Sequence, residues 1–311
     1  MTFTQLRIVS LIPSGTEIIV SLGLGDSLVG RSHECDFPPE VQNLPVCCRS
    51  RIDTTASSLE IDRQVHSALQ QALSIYEVDT ETINQLAPTH VITQSQCEAC
   101  AVSLRDVQAA LSLDVESAPE IISLSPMGLS DLWHDILRLA TTLGVPKRGE
   151  QLVQSLHERL RLLKNRCSRT ASRRKVLCIE WLEPLMSAGN WVPELVDIAG
   201  GTPLLASNGT HSPYVSWEAL SDADPDLIVL MPCGLNIERT RAELPVLTQH
   251  AYWERLRAVQ DGQVYLTDGN QFFNRPGPRL IESAEILAEI LWGNSDSSTL
   301  PHHQAGNWIR I

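Results

Sequence analysis

No stretch of this sequence approaches the ~20 consecutive apolar residues that would span a bilayer, so no membrane insertion is expected. Its first residues, MTFTQLRIVSLIPSG, lack a basic leading segment followed by a long apolar run. Ile8 to Ile12 reads as a buried strand instead. A cytoplasmic protein is therefore expected, or a periplasmic one if a leader has been removed. Cysteine is too sparse for a disulfide-built scaffold, with eight in 311 residues. Positive charge is also scarce: 24 Lys and Arg against 37 Asp and Glu leave a net charge of −13. Nucleic acid and anionic membranes both need a positive surface that releases counterions, so neither is an expected partner. The dinucleotide fingerprint, the phosphate loop, the zinc-protease helix and the serine-hydrolase elbow are all missing. The glycines of GLGDSLVG (Gly23 to Gly30) follow a helix rather than open one, and read as a helix stop.

What the chain does contain is a repeated pattern. Leu86 to Cys97, LAPTHVITQSQC, is a turn, an apolar β-branched strand and a polar loop with a cysteine; Asp222 to Gly234, DADPDLIVLMPCG, repeats it. Neither strand alternates, so both should be buried on two faces, as in a parallel sheet covered by helices. Upstream of each, RIVSLIPSGTEIIVSLGLG and KVLCIEWLEPLMSAGNWVPELVDIAGG read strand, loop, helix, glycine stop. Ser14 or Thr16 is expected to cap the first helix. The two modules imply two α/β lobes. Between them, Leu129, Leu132, Trp133, Ile136 and Leu137, and then Leu152, Leu156, Leu160 and Leu163, recur at helical spacing around a break at Gly144 and Pro146. The division expected is 1–126 for the first lobe, 127–170 for a helical linker with one long stiff helix, and 171–311 for the second lobe.

The motifs IVSLIPSGTEIIVSLGLGDSLVG, DFPPEV, LAPTHVIT, SAGNWVPELVDIAGG, DPDLIVLMPCG and FFNRPGPRL together resemble the cobalamin-type substrate-binding proteins of ABC importers, the helical-backbone metal-receptor group. The resemblance runs from about Arg7 to Trp292. It implies two Rossmann-like lobes with parallel sheets, a long rigid interlobe helix, and a small molecule held without chemistry in the cleft between lobes. Relatives of this group bind cobalamin, haem or iron chelates, so cobalamin is the leading ligand and no enzyme activity is implied. An ABC permease is a partner only if the chain is exported. The family's acid before the paired aromatics is Gln271 here, and the tyrosine of its turn is Phe37.

In open parallel sheets ligands bind beyond the carboxyl ends of the strands, which singles out the polar loops there. In the first half they offer Ser14, Arg31, His33, Glu34, Cys35, Arg49, Arg51, Gln94, Gln96 and Cys97; in the second, Trp181, Asn190, Trp191, Cys233, Asn270, Phe272, Phe273 and Arg275. Phe272 and Phe273 read as exposed rings beside an arginine, suited to covering a flat ligand, with Trp191 and Trp181 as further stacking surfaces. Arg49 and Arg51 suit a carboxylate or phosphate on its edge. Cys97 and Cys100 form a C-x-x-C that reads first as cleft wall, then as metal ligand, then as redox pair. With His33 and Cys35 it could hold zinc or iron, which gives the alternative of a metal-dependent enzyme or metal-binding protein on the same scaffold.

Overall fold

A computed structural model describes residues 5–71, 73–96, 101–115, 117–168, 172–293 and 306–311. They form two compact units, one drawn from 1–56, 60–126 and 130–154, the other from 57–59, 127–129 and 155–311. The chain is α/β in both.

The chain opens with β1 (Ile8–Ser10), α1 (Pro13–Ser21), β2 (Leu28–Arg31), β3 (Cys48–Ser50), α2 (Ser58–Gln70), β4 (Tyr76–Val78), α3 (Thr80–Leu86), β5 (His90–Gln94), α4 (Leu104–Asp114) and β6 (Glu120–Leu124). Strands β2, β1, β5 and β6 lie in that order in an all-parallel sheet. β1 is buried along its whole length, as its apolar residues require in a sheet covered on both faces. Around it Val9, Leu11, Ile83, Val91, Val102 and Val107 form the first unit's core, joined by Cys47, Cys48 and Tyr76 in and beside a separate antiparallel pair of β3 with β4.

Pro13 occupies the first turn of α1, where a missing N–H costs nothing. The N-cap is Ile12, and its side chain makes no capping bond. The expected cap by Ser14 or Thr16 is thus corrected: both lie inside the helix, and the Thr16 hydroxyl donates to the Ile12 carbonyl (3.3 Å) and to Cys35 Sγ (3.0 Å). At the other end Gly23 takes φ +71, the left-handed stop that the sequence implied.

Two helices follow, α5 (Leu129–Thr142) and α6 (Pro146–Cys167), either side of Gly144 at φ +77. α6 is the long helix that the leucine spacing predicts; the division between units falls within it, between Gln154 and Ser155. Leu156, Leu160, Leu163 and Cys167 are its buried stripe in the second unit.

The second unit continues with β7 (Lys175–Trp181), β8 (Met186–Ser187), α7 (Val192–Ile198), β9 (Thr202–Pro203), α8 (Trp217–Ala223), β10 (Leu227–Leu230), α9 (Ile237–Glu243), α10 (Pro245–Thr248), α11 (Arg257–Gln260), β11 (Val264–Thr267), α12 (Leu280–Trp292) and β12 (Trp308–Arg310). Its sheet runs β12, β11, β10, β7, β8, with β9 also on β7. β7, β10 and β11 are parallel, while β8 and β12 add antiparallel edges. β10 and β11, LIVL and VYLT, are buried at every position. α12 is buried almost throughout, and Arg159 of α6 grips its Glu285 with both carboxylate oxygens, at 3.0 and 2.9 Å.

Candidate functional site

In the second unit the carboxyl ends of β7, β10 and β11 carry three loops tied to one another by backbone bonds. The Met231 and Cys233 amides donate to the Ile179 and Glu180 carbonyls, at 2.9 and 3.0 Å. Asn274 donates its side-chain amide to the carbonyls of Met231 and Gly269, both at 2.9 Å. After β11 the Asp268 carboxylate organises the turn, accepting from the Asn270 amide (3.0 Å), the Gln271 amide (2.8 Å) and the Gln271 side chain (3.2 Å).

This turn overturns the expectation of exposed phenylalanines. Phe272 and Phe273 are 3% and 0% exposed. The guanidinium of Arg279 lies over the Phe272 ring, 4.5 Å from its centre, so that face is already covered. Phe273 is held at φ +67 by both ends of its backbone: its N–H donates to Ser283 Oγ (3.0 Å), and its carbonyl accepts from the Trp191 indole (2.6 Å). Trp191 is likewise buried, which corrects its assignment as a stacking surface. Arg275 is 7% exposed and donates to Asn270 Oδ1 at 3.1 Å. The aromatic tail motif is a packed knot that supports the strand ends. Asn270, Gln271 and Asn274 keep exposed surface on it, and Cys233 is also partly exposed.

Beside it, β7 ends in Glu180 and Trp181, both partly buried. The Trp181 indole N–H and the Asn190 side-chain oxygen are buried without a hydrogen-bond partner among the described residues. Two loops frame them. Ser187 and Asn190 donate backbone N–H to the Pro213 and Thr210 carbonyls (3.0 and 2.6 Å), and Gly209 donates to the Asn190 carbonyl (2.8 Å). Glu180 was not among the residues the sequence singled out, although an acid closing the apolar run VLCI was the signal that could have found it. Its Oε2 accepts from Ser212 Oγ at 2.8 Å. Burial pushes its carboxyl above the usual carboxylate range, and the Ser212 bond offsets this only in part.

In the first unit Arg31 is expected on a ligand but is spent on its own loop. Its guanidinium donates to the carbonyls of Ser32 (3.0 Å), His33 (3.4 Å), Cys35 (3.3 Å) and Gln42 (3.1 Å). Within that loop His33 is partly buried, with Nδ1 3.4 Å from Ser32 Oγ and 3.7 Å from Cys48 Sγ, and its Nε2 3.9 Å from Glu34. Burial lowers its pKa, with Arg31 adding to the effect against the Cys48 contact, so the ring is neutral at pH about 7. Glu34 is partly exposed, and its amide donates to Ser32 Oγ at 3.3 Å. Ser14 is buried in α1, and Gln94 is buried at the end of β5, where its side chain donates to the Ala101 carbonyl (3.4 Å). Gln96, just beyond, is partly exposed.

Arg49 is a second correction. It lies within β3 of the antiparallel β3–β4 pair, not in a loop at a parallel strand's end. It is exposed and ion-paired at 3.6 Å with Glu77 on the partner strand, while Arg51 just beyond β3 donates its amide to the Ile75 carbonyl (2.8 Å). A cross-strand surface pair accounts for Arg49 without a ligand.

The proposed metal set does not assemble from what is described. Cys35 turns its sulfur inward to Thr16 and, at 3.9 Å, to the Ser10 carbonyl, whereas His33 faces Cys48. Among the described residues no three His, Cys, Asp or Glu side chains are grouped to hold a metal ion. Cys97 and Cys100 lie outside the described residues. Cys47, Cys48, Cys167 and Cys178 are core hydrophobes, while Cys233 is partly exposed: burial pushes Cys47 up to about 12 and Cys167 to about 11, and raises Cys48 and Cys178 as well. Alkylation of the folded protein with iodoacetamide at about pH 8, mapped by mass spectrometry, should therefore mark Cys233 first among the six described cysteines. Cys47 and Cys178 should react only after denaturation. Rapid native labelling of Cys47 would contradict its placement.

A periplasmic binding protein model matches residues 8–270. The chain belongs to that family. Within it, the chain is 23% identical over 290 residues to a vitamin B12-binding protein of Photorhabdus laumondii, covering 93% of this chain and 89% of the relative. It is 25% identical over 296 residues to an uncharacterised ABC-transporter substrate-binding lipoprotein of Bacillus subtilis, covering 92% and 80%. A solved periplasmic haem-binding protein from Pseudomonas aeruginosa superposes with a TM-score of 0.70 at 22% identity, covering 92% of each chain, and shares the fold. A family described as periplasmic and a relative described as a lipoprotein give no support to the cytoplasmic expectation and fit its periplasmic alternative. No helix among the described residues is long and apolar enough to cross a membrane.

Proposed function

We propose that this chain is a non-catalytic binding protein that holds a corrinoid such as cobalamin, or a related tetrapyrrole or metal chelate, and passes it to an ABC permease outside the cytoplasmic membrane. The observation that carries this reading is the family match over residues 8–270, with a vitamin B12-binding relative aligned along nearly the whole chain. The strand-end loops fit such a role better than catalysis. Polar side chains with exposed surface, His33 and Gln96 in the first unit and Trp181, Asn190 and Asn270 in the second, follow apolar strands. The loops carrying them are braced by backbone bonds, as a binding surface requires to avoid ordering costs.

Titration with cyanocobalamin, followed by calorimetry and tryptophan quenching, tests the reading. Saturable one-to-one binding at micromolar concentrations or below is expected. Folded protein showing no saturation up to about 1 mM would remove it.

A further inference from the structure

Glu180 sits at the carboxyl end of β7, the position from which open parallel sheets meet their ligands. Its carboxylate is fixed by a short relay. The Gly189 amide donates to Ser212 Oγ (2.9 Å), and the Ser212 hydroxyl donates in turn to Glu180 Oε2 (2.8 Å). Gly189 packs so closely on this loop that a Cβ there would lie 2.5 Å from the Thr210 carbonyl oxygen and 2.7 Å from the Ser212 nitrogen, so only glycine allows the approach. Ser212 engages one of the two carboxyl oxygens, Oε2. Next to Gly189, Asn190 leaves a buried side-chain oxygen without a donor. Two oriented acceptors thus stand on one braced frame. The side-chain hydrogen bond on the Glu180 carboxylate is the one from Ser212. The cations of this unit's other strand-end loop are engaged elsewhere, Arg275 with Asn270 and Arg279 with Glu282 and the Phe272 ring. Free acceptors welcome N–H groups and give a carboxylate's own acceptors nothing to bind.

We propose that Glu180 is a ligand-contacting, specificity-determining residue, positioned by Ser212, that selects ligands rimmed with amide N–H donors over ligands rimmed with carboxylates. This rests on the binding role proposed above, and it decides between the two ligand chemistries that the relatives represent: a corrin carries carboxamide side chains, a haem carries propionates.

The test measures affinity for cyanocobalamin and for haem in wild-type protein, Glu180→Ala, Glu180→Gln and Ser212→Ala, with thermal unfolding to verify folding. Wild type is expected to prefer cyanocobalamin. Glu180→Ala should weaken cyanocobalamin binding about tenfold, with haem binding changed less than about threefold, while Glu180→Gln, which keeps an acceptor, should stay near wild type. Ser212→Ala should fall between, and it carries the test alone if Glu180→Ala does not fold. Wild type that binds cyanocobalamin with no change of preference in Glu180→Ala or Ser212→Ala overturns this inference and leaves the binding role intact. Wild-type preference for haem overturns it too. Wild type that binds neither ligand removes both.

Discussion

Phe273→Ala is expected to lower the stability of the folded chain by about 3–5 kcal/mol, the usual range for emptying a fully buried aromatic site. The ring is the largest fully buried side chain among the described residues. Its surroundings cannot collapse to fill the void, because the residue's backbone is pinned on both sides, by Ser283 Oγ at its amide and by the Trp191 indole at its carbonyl. Alanine also retains the φ of +67, which only tertiary contacts hold in place, and it brings fewer of them. The measurement is chemical denaturation followed by far-UV circular dichroism, with the midpoint falling and the slope unchanged. An unchanged midpoint together with lost cyanocobalamin affinity would return Phe273 to the ligand-stacking role that its sequence context suggested.

Gly269→Ala should be comparably severe for a different reason. An added Cβ would stand 2.2 Å from the Pro232 carbonyl oxygen and 2.7 Å from the Met231 carbonyl carbon, both backbone atoms at the carboxyl end of β10. Flexible side chains can step aside from such a clash, but these atoms are backbone directly after β10, where the Met231 amide is held by the Ile179 carbonyl. The turn after β11 must therefore back away, at a cost of about 3 kcal/mol, the upper end for overpacking. As it moves, the Asp268 carboxylate loses its alignment with the Asn270 and Gln271 amides, so ligand binding should fall along with stability. Gly234→Ala is the control. Its neighbourhood is open, and only the left-handed backbone at φ +74 penalises the methyl group, by about 1 kcal/mol. Equal effects at the two glycines would refute the close approach at Gly269.

The strand–helix order, the long α6 and the glycine stops were all legible, because each depends on local spacing or on one residue's backbone freedom. Nothing in the tail motif reveals that an indole some eighty residues earlier would seize the Phe273 carbonyl, or that Arg279 rather than a ligand would cover Phe272. Adjacency in sequence made two aromatics and an arginine look like a binding surface, while the contacts that bury them come from Arg279 and Ser283 further along the tail and from the distant Trp191. Arg49 failed similarly: its partner strand lies beyond α2, and no local pattern ties Cys48–Ser50 to Tyr76–Val78. The Arg31 guanidinium donates its terminal nitrogens to carbonyls, which carry no side-chain signature at all. Glu180 was overlooked because a single acid ending an apolar strand reads as the edge of the next loop.

The knot around Asp268 and Phe273 has a kinetic meaning. Because these turns reach their final shape when the chain folds, a guest arriving at them meets a finished surface and forfeits little disorder in docking. Changes to side chains on that surface should therefore alter how long a guest stays far more than how fast it arrives.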